Sequence, residues 1–82
     1  MSRFFGIVIA MFYREHEPPH YHATYAEHRA TIQIESVEVS GTLPKRALNL
    51  VLEWHNLHKE ELEENWRRAR SNHPLLKIPP LE

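Results

Sequence analysis

The chain has 82 residues, 41% of them hydrophobic, with 10 basic and 11 acidic side chains and a net charge of −1. That length excludes a second domain, no apolar run approaches the ~20 residues of a membrane span, and the missing basic excess disfavours a non-specific nucleic-acid binder. Cysteine is absent, which excludes disulfides and thiolate metal sites and leads us to expect a reducing, cytoplasmic setting, while histidine is enriched at 7 residues.

In chain order, Phe4 to Tyr13 contains no charged or amide side chain and is rich in Phe, Ile and Val. It reads as one strand covered on both faces. No small-residue cleavage site follows it, so no signal peptide is expected. Pro18 and Pro19 then force a loop, since neither can donate to a ladder. Three strands follow, at about 20–25, 28–35 and 37–42. Tyr25-Ala26-Glu27-His28 forms the first connection as a two-residue hairpin. In the next strand Ala30, Ile32 and Ile34 alternate with Arg29, Thr31 and Gln33, and the apolar phase shifts at Val37 and Val39, which places a turn at Glu35-Ser36.

The second half keeps an approximate 3.6-residue apolar period through Leu48, Val51, Leu52, Trp54, Leu57, Leu62 and Trp66. Pro44 suits a helix start. A break near His58 is favoured, because Glu60, Glu61, Glu63 and Glu64 ahead of Arg67, Arg68 and Arg70 is the charge order of a separate helix. Glu63–Arg67 and Glu64–Arg68 have the spacing of favourable pairs. Ser71-Asn72-His73-Pro74 ends the helical region, and the tail, with Pro79 and Pro80, is expected to be extended and to pack through Leu75, Leu76, Ile78 and Leu81. The fold class is therefore α+β in a single domain, 1–82. A four-stranded, mainly antiparallel meander (about 3–42) is followed by two helices (about 44–71) on one face and a tail (72–82).

The densest chemistry lies in Glu15-His16-Glu17-Pro18-Pro19-His20-Tyr21-His22. On a strand His20 and His22 share a face. If the hairpin turns at Ala26-Glu27, Tyr21 meets Ile32 and Ala23 meets Ala30 on the apolar face, while His20 meets Gln33 and His22 meets Thr31 on the polar one. His16, His20 and His22, with Glu15 or Glu17, are candidate ligands for Zn²⁺ or another divalent metal. His20 and His22 are alternatively candidate catalytic groups, an acid and a base that could act in a ribonuclease or a metal-assisted hydrolase. The competing role is structural, with the imidazoles bracing the Pro-Pro turn.

Lys45 and Arg46 stand at a helix start, where free N–H groups could help them hold an anion or an acidic partner; simple solvation is the alternative. His55 and His58 are expected to be exposed or capping, and Trp54 and Trp66 to lie in the core. Ile7, Ile9, Met11 and Tyr13 form one row of the first strand, and the helices can cover only one side of the sheet. That row is a candidate interface with a second copy or a protein partner.

Phe5-Gly6-Ile7, the His16-x-Pro18-Pro19-His20-x-His22 element, Leu43-Pro44-Lys45-Arg46-Ala47-Leu48, Glu61-Leu62, Asn65-Trp66 and Leu76-Lys77-Ile78-x-Pro80-Leu81 together resemble a bacterial family of small proteins, domain of unknown function four-one-six-zero. Ala26 departs from the glycine expected there in the turn. The resemblance implies a cytosolic protein and a partner of the small domain-of-unknown-function two-four-four-two type, in a toxin–antitoxin-like gene pair. It carries over no catalytic residue. The preferred function is accordingly a binding component acting through a homodimer or partner, with the His-dependent hydrolase as the alternative.

Overall fold

Phe5 and Gly6 both take left-handed backbone angles, φ 50° and 81°, and turn the apolar N-terminal run back on itself. Two consecutive residues with positive φ are the signature of the tight turn whose twist matches antiparallel strands. In the computed structural model, which describes residues 1–82, the run expected as one strand is therefore two, β1 (Ser2–Phe4) and β2 (Ile7–Ala10). The remaining strands are β3 (His20–Tyr25), β4 (His28–Gln33) and β5 (Val39–Thr42). The sheet has five antiparallel strands in the order β1-β2-β3-β4-β5, one more than the meander expected from sequence.

The register of the central hairpin follows from its side-chain alternation. Tyr21 faces Ile32, Ala23 faces Ala30, His20 faces Gln33 and His22 faces Thr31. Across the sheet one face carries Ile7, Ile9, Tyr21, Ala23, Ala30 and Ile32, all buried. The other face carries Val8, Ala10, His22, Thr24, Arg29, Thr31, Ser40 and Thr42. A one-residue slip would bury the second set, so the pattern holds the register. β4 ends at Gln33, not at Glu35. There Gln33 donates to the Glu38 carbonyl (2.9 Å) and accepts from Val37 N–H (3.1 Å), which closes the turn at Glu35-Ser36 that the phase shift required.

Two helices cover the apolar face. α1 (Lys45–Leu57) buries Ala47, Val51, Trp54 and His55, and α2 (Lys59–Arg70) buries Leu62, Asn65, Trp66 and Ala69. Both sets keep to one helical stripe. The break falls at His58, as the charge order indicated, and the His58 ring bonds to Glu61 in the first turn of α2. Of the two expected pairs on α2, Glu64–Arg68 forms (3.1 Å), but Arg67 also turns to Glu64 (2.8 Å) and not to Glu63. Asn72, at φ 59°, stops α2, and His73 N–H donates to the Arg68 carbonyl (2.8 Å). This is the glycine-type helix stop, taken here by asparagine.

Trp54 is the centre of the core, 5.4 Å from Phe4 and 5.8 Å from Tyr21 between ring centroids. Its indole N–H donates to the Pro79 carbonyl (2.9 Å), and the Asn65 amide exchanges two hydrogen bonds with the Leu76 backbone (2.9 and 2.8 Å). These bonds hold the tail, whose Ile78 and Leu81 are buried while Leu76 stays exposed. Ile78 N–H also donates to the Met1 carbonyl (3.3 Å), so the tail runs alongside the β1 end of the sheet. No helix is long and apolar enough to cross a membrane.

Candidate metal centre

His20 and His22 lie on the sheet face turned away from the helices, with ring centroids 5.3 Å apart. The loop that enters β3 brings a carboxylate to them. Glu15 Oε1 lies 2.6 Å from His22 Nε2 and 3.3 Å from His20 Nε2. One ligand-type atom from each of Glu15, His20 and His22 falls within 4.8 Å of the other two. The loop is tied down from the opposite side. The Glu17 carboxylate pairs with Arg70 and accepts from Trp66 Nε1 (3.3 Å), both on α2. Trp66 also lies 5.3 Å from the His20 ring. α2 thus reaches the end of β3, and Trp66 serves both the core and the wall of the site.

The second nitrogens of the rings define their chemistry. His20 Nδ1 is 2.9 Å from the Pro18 carbonyl, an acceptor, so Nδ1–H donates there. In the neutral ring Nε2 then carries a lone pair, and that lone pair faces the Glu15 carboxylate. Either a proton across this 3.3 Å contact or a metal ion satisfies both groups. His22 Nδ1 lies 3.5 Å from Thr31 Oγ1, which leaves its Nε2 directed at the same carboxylate oxygen. An imidazole whose far nitrogen is held by a backbone carbonyl while Nε2 points at a shared position is the usual outer-shell pattern of metal-bound histidine. Hydrogen bonding to His22 holds the Glu15 carboxyl below the usual carboxylate range, against the opposing effect of its partial burial.

The structure sorts the candidates from sequence. His20 and His22 come together as expected, and Glu15 is the carboxylate that joins them. Glu17 is engaged by α2. His16 is exposed and lines the same cleft as Glu15 and His20, but its ring is not part of the trio. Lys45 and Arg46 are exposed at the start of α1 and make no ion pair. The expected interface row is corrected. Ile7, Ile9 and Met11 are buried in the chain's own core, and only Tyr13 is exposed. The helices cover the odd-numbered row of β2, so the outward row is Val8 and Ala10, continued by Phe12 at 54% exposure.

His55 is the residue that sequence reasoning misplaced. It is buried, its Nε2–H donates to the Ile34 carbonyl (3.0 Å), and its Nδ1 accepts from the Tyr21 hydroxyl (2.8 Å). Burial holds His55 below the usual imidazole value and pushes the Tyr21 phenol up. This pair belongs to the core and opens to no cleft. Its only sequence signal was the apolar company of Trp54 on the buried stripe.

A strand-borne His-x-His pair joined by a loop carboxylate, on the open face of a sheet backed by two helices, defines a small α+β protein with a candidate metal centre. The chain belongs to the family described as Domain of unknown function (DUF4160), whose model matches residues 6–67 and so includes the whole His–Glu loop. No curated protein and no solved structure matches the chain.

Proposed function

We propose that this protein binds a divalent metal ion of the Zn²⁺ class through Glu15, His20 and His22. The observation that carries the reading is the His20 Nδ1–H bond to Pro18, which turns Nε2 toward the Glu15 carboxylate that His22 also faces. Ligand atoms about 2 Å from a tetrahedral ion sit about 3.3 Å from one another; the His20–Glu15 spacing of 3.3 Å matches this, while His22 and Glu15, in contact at 2.6 Å, must part to admit the ion. Three protein ligands leave a fourth position free, and an ion there supplies Lewis acidity for hydrolysis. The protein's own part is to orient both imidazoles through Pro18 and Thr31 and to shield one side with Trp66. Titration calorimetry of untagged protein should show one Zn²⁺ per chain. His20→Ala, His22→Ala and Glu15→Gln should each weaken it at least tenfold, whereas His16→Ala leaves it unchanged. Equal binding by His22→Ala would refute the assignment.

A second reading, an interaction component acting through a homodimer or a protein partner, is supported by β5. It is the last strand of the sheet, and all four of its residues are exposed. An unpaired edge accepts another strand. On this reading sedimentation at micromolar concentration gives a dimer that Val39→Lys dissociates, and a monomer at these concentrations would count against self-association.

A further inference from the structure

A groove of about 450 Å³ runs from His22 across the outward face of the sheet. Phe12 forms one end, with its ring 4.8 Å from that of His22. Phe12 follows the end of β2 and points away from the core, so a large aromatic face is left in water beside the candidate metal centre. Arg29 forms the other end. It sits on β4 two residues from Thr31, about 7 Å along the strand, and on the same face. No carboxylate lines the groove, and the exposed Arg29 guanidinium makes no ion pair or side-chain hydrogen bond within the chain. Between these ends stand the hydroxyl side chains of Thr24, Thr31 and Ser40.

We infer that this groove binds a nucleoside monophosphate, its phosphate on the Arg29 guanidinium and its base against Phe12. An unpaired guanidinium beside hydroxyl donors is a phosphate receptor, and it binds as a planar fork. An exposed aromatic ring contributes stacking to any flat base. The middle of the groove offers the hydrogen-bonding groups a ribose needs. One cation in the groove, on a chain of net charge −1, suits a single phosphate better than a polyanion. The inference deepens the metal reading, since an ion at His22 would face the same ligand, but Arg29 and Phe12 do not depend on the ion.

The test is binding of adenosine monophosphate to the full chain, with and without Zn²⁺. The expected affinity is at least tenfold above that for adenosine or for inorganic phosphate. Arg29→Gln should lose tenfold or more in affinity for the nucleotide while still taking up one Zn²⁺. Phe12→Ala should lower nucleotide affinity but leave that for inorganic phosphate unchanged. Both side chains are at the surface, and circular dichroism checks that the variants fold. Nucleotide binding no tighter than that of phosphate, or unaffected by Arg29→Gln, would overturn the proposal. So would an oligoadenylate binding more than tenfold tighter than the mononucleotide, which would make the groove a nucleic-acid site. If the parent takes up no Zn²⁺ yet binds the nucleotide through Arg29 and Phe12, the metal reading fails and this one stands.

Discussion

At the scale of single residues, histidine divides into two kinds in this chain. His20 and His22 direct one nitrogen each to a shared carboxylate on the open face, whereas His55 spends both on fixed partners in the core. The consequence for His55 is a dependence of stability on pH. Burial, the largest cause, lowers its pKa in the folded chain, and the Lys59 charge acts the same way, against the Ile34 carbonyl bond. In the unfolded chain the group titrates near 6.5. Below that value the unfolded state takes up a proton that the fold resists, so stability is complete above about pH 6.5 and is lost as pH falls through the folded value. Urea unfolding at pH 7.5 and 5.5 should show lower stability at the acid end. His55→Gln can serve both partners without titrating and should flatten that difference; an unchanged slope would exclude His55 as the source. No local pattern announced this role. Its partners are 34 and 21 residues away, and a polar residue beside Trp54 reads equally well as the margin of a solvated face.

Among the elements, alternation and charge order were legible, and turns made of atypical residues were not. The β3–β4 register followed from two strands whose polar and apolar positions agree, and the break at His58 followed from acids placed before bases. The β1–β2 turn carries little sequence signal because Phe5 occupies a left-handed position usually held by Asn, Asp or Gly, and the run has the pattern of one continuous strand. Gly6 was the one available signal. Ala26 shows the same economy. It sits at φ 53° at the first of two turn positions, where an L side chain is strained and glycine is preferred. Ala26→Gly should therefore stabilise the chain by about 1 kcal/mol, after the entropic cost of glycine, and raise Tm by roughly 5 °C. A thermal melt checks it, and a lower Tm would show that the turn is not strained.

For the whole molecule, the division of labour between the two sheet faces decides what the chain can do. The helices, with the buried Ile78 and Leu81 of the tail, complete the core on one side, which is why Ile7, Ile9 and Met11 could not remain an interface. The other face is left open, and on it lie the His–Glu site and the groove to Arg29. The pairing of His20 with His22 could be read from a spacing of two on a strand. The choice of Glu15 over Glu17 and His16 could not, because it depends on how Trp66 and Arg70 of α2 hold the loop. X-ray absorption of the zinc-loaded, untagged chain is the direct measurement. It should show a four-coordinate ion with two imidazole nitrogens at about 2.0 Å and oxygen in the remaining positions, a pattern that Glu15→Gln alters. A spectrum without paired imidazoles, or no zinc retained at neutral pH, would contradict the account.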